Sequence, residues 1–268
     1  MRRIFLFITC LAAMDAFTQP HAIGHQSSVN RFNQGEELSF ELGYGWFALG
    51  KAQLVVADEL HQYEQAECYK VDISGRTTGI LGAFSKVEDT WGGFVDVNSM
   101  LPLHAYADLN EGKYQRKEDI IYDHEEGLIT VDMIKKHRQR PIIKHEFEGE
   151  LYDLISGYLK VRNIDFGVLE KGDTVRFPAF YDGIFYDFGL LYDGQEKVKS
   201  EVGKLTAHRV IPIIPENKIF PGTNPIIAWI SADANQLPLK VEADMFFGHA
   251  YVELTGYKNI KYGPDFKQ

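Results

Sequence analysis

The sequence predicts a mainly β protein: one large curved antiparallel sheet or open barrel with a single central helix, with a two-layer β-sandwich as the alternative. Three observations lead there. Apolar residues alternate with polar ones at period two through most of the chain, which is the pattern of half-buried strands. Gly, Asn and Asp punctuate these runs at turn positions. Only Tyr152 to Ile164 breaks the pattern: Leu151, Leu154, Ile155, Tyr158 and Leu159 recur at helical spacing and form one stripe. More than ten strands in one sheet curl or split into two layers, so a curved sheet with the helix on its inner face is the expected architecture.

In chain order, Met1-Arg2-Arg3 is followed by an apolar run from Ile4 to Ala13, with small residues after it. This is the form of a secretory signal, here assigned to residues 1–16 with cleavage near Ala16. Met14 is larger than the residue usual at its position. Ten apolar residues fall short of the roughly 20 needed to span a bilayer, so no transmembrane segment is expected. The expected location is outside the cytoplasm, in the periplasm, with anchoring through a lipid on Cys10 as the alternative. Residues 17–34 are polar and aperiodic and read as a flexible leader. A single β-rich domain is expected over 35–262.

Within it, Leu38, Phe40, Leu42, Tyr44 and Trp46 share a period-two face, and the chain is expected to turn near Leu49-Gly50 and return through Ala52 and Leu54. Strands follow from Tyr69 and from Ser85, with a turn at Thr78 to Gly82 and a bulge or turn at Gly92-Gly93. Leu101-Pro102-Leu103 opens the next strand. Tyr114 to Tyr122 and Leu128 to Met133 flank the charged turn Asp123 to Gly127. Lys135 to Arg140, KKHRQR, reads as a solvated hairpin end rather than a phosphate-binding patch. Past the helix, Thr174 to Tyr181 is a strand and Asp193-Gly194 a two-residue hairpin signal. Ile226 to Ser231, the turn at 232–235, and Leu239, Val241, Ala243 and Met245 with Lys240, Glu242 and Asp244 outward form the last hairpin.

The formal charge of −10 argues against nucleic acid, whose binding needs a basic footprint, and disfavours anionic membrane surfaces for the same reason. Removal of Cys10 leaves Cys68 alone, which excludes an intrachain disulfide and reads as a buried strand residue. The chemistry-bearing motifs fail one by one. His145-Glu146 lacks the second His that a zincin helix requires, since Gly149 stands there. Asp233-Ala234-Asn235 opens like a calcium loop, but Leu237 and Pro238 occupy the next ligand and glycine positions. Ser156 has Leu154 and Tyr158 at the two positions where a nucleophile elbow needs glycine, and it lies inside the expected helix. Gly194 to Gly203 does not match a phosphate loop, and Gly43, Gly45 and Gly50 lie in a strand where a dinucleotide loop would open a helix. No catalytic residue, metal site or cofactor is assigned.

Several short motifs do occur in a recognisable order. They are Gly35-Glu36 with Leu38 and Phe40, Gly50-Lys51-Ala52, Asp153-Leu154-Ile155-Ser156 with Arg162, Gly203 before Leu205 and Ala207, Trp229 with Ser231 and Asp233, and Leu237-Pro238 with Glu242. Together they resemble domain of unknown function 3108, a family of uncharacterised exported bacterial proteins, from Gly35 to Leu254. The resemblance implies an all-β envelope protein and carries no catalytic residues with it.

The leading expectation is a non-enzymatic exported envelope protein that binds an apolar or lipidic ligand or an envelope protein partner. A structural or assembly factor without a small ligand is the alternative, and an uncharacterised hydrolase a third. If an apolar ligand binds, Phe40, Tyr44 and Trp46 on the first hairpin are the candidate contacts; the competing reading makes that face core.

Overall fold

The computed structural model describes residues 30–79, 86–213, 225–245 and 248–263. The expected signal at 1–16 and residues 17–29 of the expected leader lie outside them. Alternation along each strand gives one antiparallel sheet, not a sandwich. Its strands are β1 (Glu37–Tyr44), β2 (Phe47–Val56), β3 (His61–Tyr63), β4 (Ala66–Thr77), β5 (Val87–Asp96), β6 (Pro102–Glu111), β7 (Tyr114–Asp123) and β8 (Leu128–Lys135). They continue with β9 (Arg138–Gln139), β10 (Ile143–Glu146), β11 (Thr174–Tyr181), β12 (Ile184–Ser200), β13 (Gly203–Ile213), β14 (Ile226–Ser231), β15 (Pro238–Asp244) and β16 (His249–Lys258). The order across the sheet is β10-β8-β7-β6-β5-β4-β2-β1-β16-β15-β14-β13-β12-β11, with β3 on β4 and β9 on β8. Two meanders are thus joined where the first strand pairs with the last.

The sheet curls but no strand ladder closes it. Its two edges, β10 and β11, face each other across a seam. Beside β11 the backbone at Tyr152 forms a parallel bridge, donating to Pro178 O at 3.0 Å and accepting from Phe180 N at 2.7 Å. Tyr122 meets Phe180 edge-on at 6.4 Å, and Arg116 reaches Asp182 at 2.5 Å.

The helix, α1 (Leu154–Arg162), starts where it does because Asp153 and Ser156 form a capping box: Ser156 N donates to Asp153 Oδ1 at 2.7 Å and Asp153 N to Ser156 Oγ at 2.9 Å. Asp153 is therefore the cap and not part of the first turn. Ile155 and Leu159 pack on the concave face with Leu38, Leu54, Val71, Val95, Leu205 and Leu239. Ile155 sits so close to Gly93 that a methyl there would be 3.5 Å from it. Leu154 and Tyr158, expected to be buried with them, are half-buried. Of the stripe, Ile155 and Leu159 are buried in this cluster and Leu151 in a neighbouring one.

Four local expectations change. The first hairpin turns at Gly45-Trp46, with Gly45 at φ +58, because Tyr44 pairs with Phe47; Leu49 and Gly50 lie inside β2. Gly92-Gly93 continues β5, where the missing side chains admit the Tyr106 ring on one face and the helix on the other. Asp193-Gly194 is a bulge within β12, the register slipping between Tyr192 and Gln195. Finally, the end of the expected leader is docked: Phe32 is 1% exposed in the core, and Arg31 N donates to Asn163 Oδ1 at 3.0 Å.

Candidate functional site

At one end of the barrel, a buried ion pair plugs the interior. Arg162, 2% exposed, donates through Nη1 to Glu36 Oε1 at 2.7 Å and to Tyr158 Oη at 2.8 Å. Its Nε and Nη2 reach Asn235 O at 3.0 and 2.8 Å, and Nη2 also reaches Arg31 O at 3.1 Å. Burial works against the guanidinium charge, but Tyr158 and Glu36 outweigh it and hold its pKa raised. Gln236 Nε2 donates to Arg162 O at 2.7 Å and Ile164 O at 2.9 Å, clamping the helix end to the β14–β15 turn. That turn is itself built by Ser231 and Asp233: Ser231 Oγ donates to Asp233 Oδ1 at 2.6 Å and accepts from Leu237 N at 2.8 Å. The polar residues of the sequence motifs that lie here form a structural lock. No sequence spacing joins Arg162 to a glutamate 126 positions away.

A second buried charge cluster lies higher on the inner face. Arg116 contacts Glu118 through Nη2 at 2.6 and 2.5 Å, beside its bond to Asp182. It lines a cavity of about 40 Å³ with Trp91, Tyr181 and Leu154. The signal for it was present in β7, where Arg116 and Glu118 hold the same phase as Ile120 and Tyr122. Nearby on β5, buried Asp89 accepts from Asn110 N at 2.8 Å through one oxygen, while the other has no partner among the described residues. Burial pushes its carboxyl up to about 6.

The face away from the helix carries a recess of about 640 Å³. Ser39, Gln53, Ser74, Thr90 and Asp108 stand in register across β1, β2, β4, β5 and β6 and floor it, with Lys51, Arg76, Glu88 and Asn110 alongside. This lining is polar. Among the described residues no group of three His, Cys, Asp or Glu side chains converges as a metal site.

The three aromatics proposed as ligand contacts do not form one surface. Phe40 is half-buried and packs against the helix-side core. Tyr44 is half-buried, its hydroxyl against Gly248, and Trp46 is 90% exposed in the turn beyond a bulge at Leu42/Gly43. β1 ends at Tyr44 and Trp46 lies in the turn, where strand alternation no longer holds.

The family model for proteins of unknown function DUF3108 matches residues 39–255. The chain belongs to this family. No curated protein matches the sequence. Among solved structures, the DUF3108 fold is similar to a β-barrel-like protein of domain of unknown function DUF1849 from Brucella abortus, with TM-score 0.53 and 9% identity, covering 86% of this chain and 100% of that one. A suspected exported protein with a YmcC-like fold from Bacteroides fragilis matches at TM-score 0.37 and 10% identity, covering 86% and 100%. At such identities the first likeness bears on fold alone.

Proposed function

We propose that this DUF3108 protein is a non-catalytic exported scaffold that acts through its outer surface and not as a carrier enclosing an apolar ligand. The observation that supports this is the helix in the concavity. Ile155 and Leu159 occupy the inner face where a carrier would hold its ligand, and the Arg162–Glu36 lock stops one end. The cavity of about 40 Å³ beside the helix is far below the roughly 300–1,000 Å³ of sites that enclose small molecules. Of the three candidate aromatics, Trp46 is the one a partner can reach. Export follows from the N-terminal charge and apolar run, and the periplasm is its proposed destination.

Native mass spectrometry of protein purified after export tests both parts. The expected mass is that of a chain beginning at or near Phe17, with no lipid attached. An intact Met1 removes the cleavage step, a modified Cys10 makes the protein anchored, and a stoichiometric bound lipid overturns the surface-acting reading in favour of a carrier.

A further inference from the structure

The strand directions put the turns at Gly45-Trp46, Gly112-Lys113, Lys136-His137 and Asp182-Gly183 at one end of the barrel, opposite the Arg162 lock. Around the Lys136-His137 turn and the chain that follows it, the described surface is basic and apolar together. From Lys135 to Lys144 the chain reads KKHRQRPIIK, five cations and no carboxylate in a protein of formal charge −10. None of the five is in an ion pair among the described residues; Lys135 lies 5.3 Å from the Tyr114 ring centroid. One carboxylate, Asp132, reaches into the stretch, where it accepts from Gln139, and Asp182 at the same end is paired with Arg116.

Exposed apolar side chains border these cations. Ile142 is 59% and Ile143 48% exposed on the free β10 edge, and Phe185 stands across the seam, its ring 6.0 Å from that of His145. Trp46 and Phe47 project from the first hairpin at the same end. An aromatic or aliphatic side chain beside unpaired Lys and Arg is the composition of a membrane-interface contact, where cations meet lipid phosphates and apolar groups enter the headgroup–acyl boundary. The net negative charge does not oppose this, because at physiological salt charges beyond about 8 Å are screened and the local cluster decides.

We propose that this end and the adjoining β9–β10 edge dock on an anionic lipid bilayer, with Lys135, Lys136, Arg138 and Arg140 on phosphates and Ile142, Ile143 and Trp46 inserted at the interface. The inference rests on the surface-acting reading above. Charge complementarity selects the bilayer, and the apolar residues among the cations favour it over a purely acidic protein surface.

Flotation of the exported protein with vesicles of phosphatidylcholine alone, or with about 30% phosphatidylglycerol added, tests it. Binding is expected only with phosphatidylglycerol, with a blue shift of Trp46 emission in a Trp91→Phe/Trp229→Phe background. Each cation near such a surface contributes roughly fivefold, so Lys135→Glu/Lys136→Glu/Arg138→Glu should lower partitioning about a hundredfold or more. The same charge change at the far end, Lys197→Glu/Lys199→Glu/Lys204→Glu, should leave most of it. Absence of phosphatidylglycerol-dependent flotation overturns the proposal, as does equal loss in both triple variants. Binding to polyglutamate without binding to vesicles replaces the bilayer with an acidic protein partner. Both negative outcomes leave the surface-acting reading intact if the purified protein carries no lipid, and a bound lipid in the mass spectrum would instead remove that reading.

Discussion

Asp89 is an inward carboxyl with one satisfied oxygen, and its titration has a sign that can be measured. Burial raises its folded pKa from 3.8 to about 6, so the protein favours the protonated form. Its contribution to stability is complete below about pH 3.8 and is lost as pH rises through about 6, a change of about 3 kcal/mol. Asp89→Asn keeps an acceptor for Asn110 N and removes the charge. It should stabilise the fold at pH 7 by about 1–3 kcal/mol in urea titration and lose that advantage below about pH 4; a destabilised variant at pH 7 would show that the charge is compensated. His208 has the opposite sign. Burial lowers it from 6.5 to about 4, so its contribution is present above about pH 6.5 and is lost as pH falls through about 4. It stacks on Phe166 at 4.8 Å, and protonation would place a charge there. The Arg162–Glu36 pair is the costliest residue-scale contact to break, because removing one partner strands the other's buried charge. Arg162→Ala should cost about 3–5 kcal/mol, and Arg162→Met with Glu36→Leu clearly less. Equal losses in the two variants would mean that the backbone bonds to Asn235 and Arg31, not the ion pair, carry the lock.

At the scale of the element, α1 behaves as a wedge held at both ends, by the capping box at Asp153 and by Arg162 and Gln236 at its C-terminus. Ile155→Ala or Leu159→Ala should each cost about 2–5 kcal/mol, since both sites lie deep in the core and leave a cavity. Half-buried Leu154 should cost less. Gly157 is the informative exception. A glycine inside a helix suggests a tight contact, yet a methyl there would meet Phe177 Cε2 at 3.5 Å, an ordinary van der Waals distance. Gly157→Ala should therefore gain up to about 1 kcal/mol from helix propensity, read as a raised urea midpoint. A loss would mean that the Phe177 ring cannot accommodate the added methyl.

For the molecule as a whole, the pairing of β1 with β16 leads us to expect a single cooperative unfolding unit. Leu38 and Leu54 of the N-terminal meander share a core cluster with Leu205, Leu239 and Leu254 of the C-terminal one. Separating the meanders would open this shared cluster. Truncation after Asp244 removes β16, unpairs β1 from its neighbour and exposes that cluster, and should abolish the cooperative thermal transition. Persistence of a single sharp transition would show that the N-terminal meander folds alone. The main strand order ends at the seam between β10 and β11, where the sheet leaves edges. A free edge is an invitation to other chains that proteins commonly blunt with charge, and here the charges are Arg140 and Lys144 beside Ile142 and Ile143.

Local pattern determined a great deal: strands from Val71 and Ile73 or Leu239 and Ala243, the helix from the stripe Leu151 to Leu159, and the burial of Cys68. These follow from periodicity, which a chain carries within a few residues of each position. Turn chemistry was less legible, because Gly45-Trp46 closes a hairpin whereas Asp193-Gly194 makes a bulge, and cross-strand register decides between them. Long-range pairing was beyond reach. Arg162 with Glu36, Arg116 with Asp182, and the separation of Trp46 from Phe40 depend on which strands become neighbours when a sheet of this length curls around a helix, and only the tertiary structure decides that.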